Sequence, residues 1–403
     1  MNEEIMRRAV TPAYIFDLDK LEERIRMLRS CFGGSIRIVY AMKANPFLVG
    51  VLLPFVDGLE VCSPGEARIC QKAGVPAEKM VLSGVNKEEA DVREYVRRWG
   101  SDAVYTAESE LQVERLNREA LEQGCTLKVL LRLGSGNQFG MDEAAVRKLL
   151  RTCSSYRGLE FCGIQYFSGT QKRLKRILEE LEELDALCES LASKGSPQRQ
   201  LEYGPGLPAS YFTGDKGMAE EELLAAFAEK LRGMHFRGQI TLEIGRFLTA
   251  YCGYYLTSVR DLKKIKDSAY CIVDGGIHQM NYYGQMMGMK RPHMRLLPAA
   301  GGEKVIPADN ADDAQKETTH WTVCGSLCTT ADVLLRDLPL EKLELFDTLV
   351  FERCGAYSMT EGISLFLSRD LPRIYFARKG ELKEIRQQIL TEEWNYGRID
   401  QTP

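Results

Sequence analysis

Between Leu18 and about Ile240 the chain alternates strand-like and helix-like segments, and this alternation limits its folds more than any other feature. "SIRIVYAMK", "GLEVC", "KMVLSGV", "DAVYT", "TLKVLLRLG", "FCGIQYFSG", "QLEYGPG" and "GQITLEIGR" are short, apolar and strand-like. Between them run segments with apolar residues at helical spacing, such as "KEEADVREYVRRWG" and "KRLKRILEELEELDALCESLASKG". In the latter, Leu174, Leu178, Leu181 and Leu184 are expected to form the buried stripe. About eight such repeats over roughly 230 residues predict a (β/α)8 TIM barrel. A doubly wound sheet competes, but no G-x-G-x-x-G follows the first strand and no G-x-x-x-x-G-K-[ST] phosphate loop occurs.

From about Gly253 the texture changes. "YYLTSVRDLKKI", "AYCIVDGGI", "HWTVCGSLC", "DTLVFERCGAY" and "RIYFARKGELKEIR" read as strands with turns between them. The expected organisation is a barrel over 18–252 and an all-β domain, sandwich or barrel, over 253–403. The strand-like "TPAYIFD" within 1–17 is expected to join the second domain. The Gly- and Asp-rich "AAGGEKVIPADNADDAQKETTH" reads as a solvent loop. A length of 403 residues suits two domains.

Bulk properties exclude several roles. A net charge of -4 argues against a dedicated nucleic-acid binder. No apolar run approaches the ~20 residues that span a bilayer. The start, "MNEEIMRRAVTPAY", has no apolar core of a secretory leader, so a cytoplasmic location is expected. The 12 cysteines include no C-x-x-C pair and the 4 histidines no H-x-x-x-H. Reduced thiols and no metal centre are therefore expected.

The chemistry begins at "RIVYAMKANPF", where Lys43 ends the first barrel strand. Catalytic groups of such barrels sit at the C-terminal strand ends. A lysine in a partly apolar site can form a Schiff base, although one paired with an acid at the rim would look the same. In "TLEIGRFLTAY", Glu243 lies at a later strand end. A carboxylate there can keep a pyridine nitrogen protonated, or simply pair with Arg246. "QYFSGTQ" and "YGPGLP" are glycine turns at strand ends, able to cradle a phosphate or merely to turn the chain.

Together these motifs resemble the fold-type III pyridoxal-phosphate (PLP) decarboxylases, which include the diaminopimelate, ornithine and arginine decarboxylases. The resemblance covers nearly the whole chain. "YAMKANP" resembles the motif of the PLP lysine, which implies that Lys43 is the Schiff-base residue. "EVCSPGE" implies that Glu60 and Glu66 lie near the cofactor, and "LRLGSGNQFGM" that Arg132 faces it. "GIQYFSGTQ" and "YGPGLP" imply phosphate turns with Thr170, Gly204 and Gly206. "EIGR" gives Glu243 the pyridine nitrogen and Gly245 and Arg246 the phosphate. "CGSLCTTAD" resembles the C-x-x-x-D segment with Cys328 and Asp332, and "CGAYSM" implies that Tyr357 meets the phosphate. The family implies a homodimer with shared active sites, in which Cys328 and Asp332 reach the partner's site. It also implies decarboxylation through Lys43 and PLP, with Cys328 as proton donor to the α-carbon.

The chain departs from the family pattern in three ways. Phe167 stands where the family commonly stacks a histidine on the ring, and Pro205 replaces a glycine of the phosphate loop. The acids that read a second amine are missing: "YYGQMMG" and Thr329 stand in their places. "QFGMDE", "SGTQ", "VDGGIHQ" and "SLCTTAD" are similar to the branch of L-glutamyl-[acyl-carrier protein] decarboxylases. This implies a non-standard amino-acid substrate, free or tethered to a carrier protein. The Met-rich "GQMMGMKRP", with Lys290 and Arg291, would suit such a contact or a plain solvated turn. Tyr283, Asp332 and Glu361 are the candidate substrate contacts, although Glu361 could equally face solvent. The alternatives are a PLP racemase or other lyase, and an inactive regulatory homologue. Glu243 argues against the racemase, because a carboxylate strengthens the electron sink. Lys43, Glu243, Cys328 and Tyr357 together argue against an inactive protein.

Overall fold

The structure is a computed structural model that describes residues 1–215, 217–282, 288–306 and 318–396. The chain divides into two compact units. One comprises Ile25–Pro208 and Met218–Phe247; the other comprises Met1–Arg24, Ala209–Gly217 and Leu248–Pro403.

The first unit is a closed barrel of eight parallel strands. They are β1 (Arg37–Ala41), β2 (Gly58–Val61), β3 (Met80–Leu82), β4 (Val104–Ala107), β5 (Leu127–Leu133), β6 (Leu159–Phe167), β7 (Gln200–Gly204) and β8 (Gln239–Ile244). Closure pairs β8 with β1, Val39 opposite Glu243 and Tyr40 opposite Ile244. Ala41 in turn lies opposite Glu60 of β2. The strands are short and almost wholly buried, which is why they read as apolar runs rather than alternating ones. Side-chain caps start several of the helices: Ser63, Ser109 and Asp142 each accept a main-chain N–H three residues on.

Two details of the barrel wall aim the site residues. The β5–β6 register shifts between Val129 and Leu130, leaving Cys162 as an extra residue in β6. Such a bulge resets the strand's alternation, so Gly163, Gln165 and Phe167 share one face. The helix Leu174–Ser193 buries Ile177, Leu181, Leu184, Leu187, Cys188 and Leu191. Leu174 and Leu178 are only partly buried, unlike the expected stripe, because the buried face includes the carboxylate of Glu180.

The second unit holds a mainly antiparallel ten-stranded sheet. Its long strand Gly253–Ile265 pairs with Ala13–Asp17, Ser268–Val273 and Thr348–Glu352. The N-terminal strand also runs parallel to Arg373–Arg378. Ile5, Met6, Ile15, Tyr254, Leu256, Val350 and Tyr375 form one core of this unit. Among the described residues no helix is long and apolar enough to cross a membrane.

Candidate active site

Lys43 lies just beyond β1, in the single 3-10 turn Met42–Ala44. Its side chain is 35% exposed, whereas those of Glu60 and Glu243 are 3% and 5% exposed. The Lys43 Nζ lies 3.1 Å from Glu60 Oε2 and 3.1 Å from Glu243 Oε1. Barrel closure alone makes this triad, since Lys43 and Glu243 are 200 residues apart in sequence. The cost of an ammonium at the end of a buried strand is offset by two carboxyl groups within hydrogen-bond reach.

A third carboxylate completes the cluster. Glu202, on β7, is fully buried, and oxygens of Glu60, Glu202 and Glu243 lie within 4.8 Å of one another. Gln165 Nε2 donates to Glu60 Oε1 at 3.2 Å and to Glu202 Oε1 at 2.9 Å. Glu202 Oε2 is buried without a hydrogen-bond partner among the described residues. Three buried carboxyls against one ammonium cannot all be ionised. Burial would raise Glu60, but the Lys43 charge and hydrogen bonds from Glu243 and Lys43 hold it down at about 2. Burial and the Glu60 charge push Glu243 well above the usual carboxyl range, and the same causes push Glu202 up to about 8. Glu60 is thus the anion facing Lys43, and protons are kept on its neighbours.

Neither Glu202 nor Gln165 was singled out by sequence reasoning. The signal was present: in "QLEYG" the residue two before Gly204 shares its face of the strand, and a charged residue there must enter the site.

The other candidate residues of the barrel lie at or beyond its strands. Phe167 ends β6, with its ring centroid 5.5 Å from Lys43 Nζ. Arg132, on β5, donates from Nη1 to Glu108 Oε1 at 2.7 Å and stacks over Phe139 at 5.0 Å. Its Nε is buried without a hydrogen-bond partner among the described residues. Thr170 Oγ1 accepts from Arg246 Nε at 3.2 Å. A Cβ on Gly245 would come within 3.1 Å of Ala44 and 3.2 Å of Ala41. A Cβ on Gly204 would lie 2.5 Å from the Phe167 ring, so that glycine makes room for the aromatic face. At Gly206, φ is +60° and a Cβ would meet Gly169 O at 2.1 Å. The two glycine turns therefore touch backbone to backbone. Glu66 caps its helix, accepting the Cys62 N–H at 2.6 Å.

Cys328, Asp332, Tyr357 and Glu361 belong to the other unit. Cys328 is exposed. Asp332 is buried and accepts Ile277 N at 2.9 Å on Oδ1 and Leu327 N at 2.7 Å on Oδ2. Oδ2 thus holds the turn that carries Cys328, and Oδ1 ties that turn to the loop at Ile277. Burial raises the Asp332 carboxyl despite these bonds. Tyr357 has φ +64°, a strained conformation of the kind found at functional turns. Glu361 lines a cavity of about 170 Å³ with Asn281, Thr330 and Arg336. Lys290 lies 3.7 Å from Asp215, and Arg291 donates to Asp337 O at 3.2 Å. Tyr283 and residues 284–287 lie outside the described residues.

Comparison with known proteins identifies the family. Residues 18–250 match the family model "Pyridoxal-dependent decarboxylase, pyridoxal binding domain". The chain is 26% identical to the L-glutamyl-[BtrI acyl-carrier protein] decarboxylase of Niallia circulans, over 95% of this chain and 92% of that protein. It is 27% identical to the diaminopimelate decarboxylase of Aquifex aeolicus, over 96% and 90%. The Helicobacter pylori diaminopimelate decarboxylase complexed with L-lysine superposes with a TM-score of 0.83 at 22% identity, covering 98% of both chains, which bears on the fold. The chain therefore belongs to the pyridoxal-dependent decarboxylase family.

Proposed function

We propose that this protein removes the α-carboxylate of an amino acid as carbon dioxide, with PLP held at the mouth of the barrel by Lys43. One observation carries the assignment: a partly exposed Lys43 amine between two buried carboxyl groups at the closure of the barrel. The donor set fits the cofactor. Lys43 offers the amine, Glu243 a buried carboxyl for the ring nitrogen, Phe167 an aromatic face, and Arg132 a nitrogen with no other use. Thr170, Gly204, Gly206, Gly245 and Arg246 are assigned to the phosphate, together with Tyr357. Bound there, PLP supplies an electrophilic carbon and a protonated ring that takes up the electron pair left by carbon dioxide. Glu243, which holds a proton in this buried site, would pass it to the ring nitrogen and face it as a carboxylate, and Glu60 orients the Lys43 amine. Cys328 delivers the proton to the α-carbon, held in place by Asp332.

We assign the substrate to amino acids without a second free ammonium, with Asp332, Tyr283 and Glu361 as the candidate contacts. The Niallia circulans relative acts on a carrier-protein substrate, which supports a tethered substrate here as well. The working form is a cytoplasmic homodimer with shared active sites, and nucleic acid and membrane are not partners. The test is carbon dioxide release from a panel of amino acids, free and carrier-loaded. Release from glutamyl-type substrates and not from diaminopimelate, lysine or ornithine is expected. The reverse preference would overturn the substrate assignment. α-Proton exchange without carbon dioxide release would favour the racemase, and failure to take up PLP would overturn both.

A further inference from the structure

Lys172 and Glu180 form a buried ion pair that the proposed chemistry does not use. Their side chains are 8% and 0% exposed. The Lys172 Nζ lies 2.6 Å from Glu180 Oε2, 3.0 Å from Ser168 Oγ and 3.3 Å from the main-chain oxygen of Gly204. The Lys172 main-chain N–H donates to Gly206 O at 3.0 Å. One residue therefore grips the Gly204–Pro205–Gly206 turn at both ends. Tyr203, which precedes the turn, donates its hydroxyl to Glu180 at 2.7 Å. Arg176 Nε adds a bond at 3.1 Å, and Ser168 Oγ donates to the same carboxylate.

A buried charged pair costs more than its own attraction returns unless further hydrogen bonds complete it. Glu180 is completed by four side chains. An apolar pair would fill this space at lower cost, but it could not reach the Gly204 carbonyl. The turn needs that hold. Pro205 has no N–H, a side chain at Gly204 would strike Phe167, and Gly206 rests directly on Gly169. A drift of this turn would carry the Gly169–Thr170 turn with it.

We propose that Lys172, seated on Glu180, is a positioning residue for the phosphate of the cofactor. It locks the Gly204–Gly206 turn against the Gly169–Thr170 turn, and so sets the main-chain N–H groups that receive the phosphate. This rests on the phosphate assignment made above.

The experiment titrates apoenzyme with PLP and, separately, with pyridoxal, which lacks the phosphate, following the quenching of intrinsic fluorescence. K172M should weaken PLP binding by about tenfold or more. Pyridoxal binding should change by less than about threefold, and K172R should restore most of the PLP affinity. The double variant K172M/E180L leaves no lone buried charge, so it carries the same test if K172M does not fold. An unchanged ratio of the two affinities in a folded variant would overturn the proposal. So would an equal loss for both ligands, which would mark general damage to the barrel. Wild-type protein with no preference for the phosphorylated ligand would instead overturn the phosphate assignment, and this inference with it.

Discussion

Single residues at the barrel mouth differ in charge because they differ in surroundings. Glu60, Glu202 and Glu243 are chemically alike and equally buried, yet only Glu60 is held low, because Lys43 and two hydrogen bonds outweigh its burial. Glu202 ionises near its usual 4.5 in the unfolded chain but only at about 8 in the barrel. The native state therefore binds more protons between these values. The stability from this group is full below about 4.5 and is lost as pH rises through about 8. In apoenzyme the E202Q variant should show a smaller fall of the urea midpoint between about pH 5 and 8 than wild type; equal falls would mean that Glu202 does not hold the proton. C328A should keep PLP bound and lose about 100-fold or more in turnover, the scale of a lost proton donor. Unchanged turnover would remove Cys328 from the mechanism.

At the scale of elements, turns rather than strands carry the special requirements. Gly206 combines a left-handed φ with a Cβ position 2.1 Å from Gly169 O. G206A should therefore lower the melting temperature and weaken PLP by more than about tenfold, since the strain falls on a turn assigned to the phosphate. Gly74 is the control: its φ is +67° and nothing lies within 4 Å. G74A should cost only about 1 kcal/mol of backbone strain and leave PLP affinity alone; equal effects from both would show that the contact with Gly169 is irrelevant. Barrel strands and the long helices were legible because burial and helical period write themselves into residue type. The bulge at Cys162 was not, because it depends on the register against β5. Glu180 was not legible either. It sits in a helix rich in acids, and nothing local marks it as the one that Lys172, Tyr203 and Ser168 would bury.

For the whole molecule, Lys43 and Cys328 lie in different compact units of the chain. Under the proposed shared-site homodimer, one subunit supplies Lys43 and the other Cys328 to each site. K43A and C328A, each nearly inactive, should regain about a quarter of wild-type activity when mixed and re-equilibrated, because half of the dimers then carry one intact site. Absence of recovery, with exchange shown by mass photometry of tagged subunits, would place both residues of a site in one chain.

The sequence by itself determined the eightfold alternation, the all-β remainder, and Lys43 and Glu243 as charged residues at strand ends, whereas Glu60 was reached only through the family resemblance of "EVCSPGE". The features read from the residues directly are local properties: period, turn chemistry, and a charge where an apolar residue is expected. Tertiary structure alone decided that the three residues meet, that Glu202 and Gln165 join them, and that Lys172 ties two turns together. Those facts depend on barrel closure and strand register, which bring together side chains as much as 200 residues apart. Only that proximity, in a space too dry to hold three bare carboxylates, turns ordinary acids and a lysine into a site that can hold and move protons.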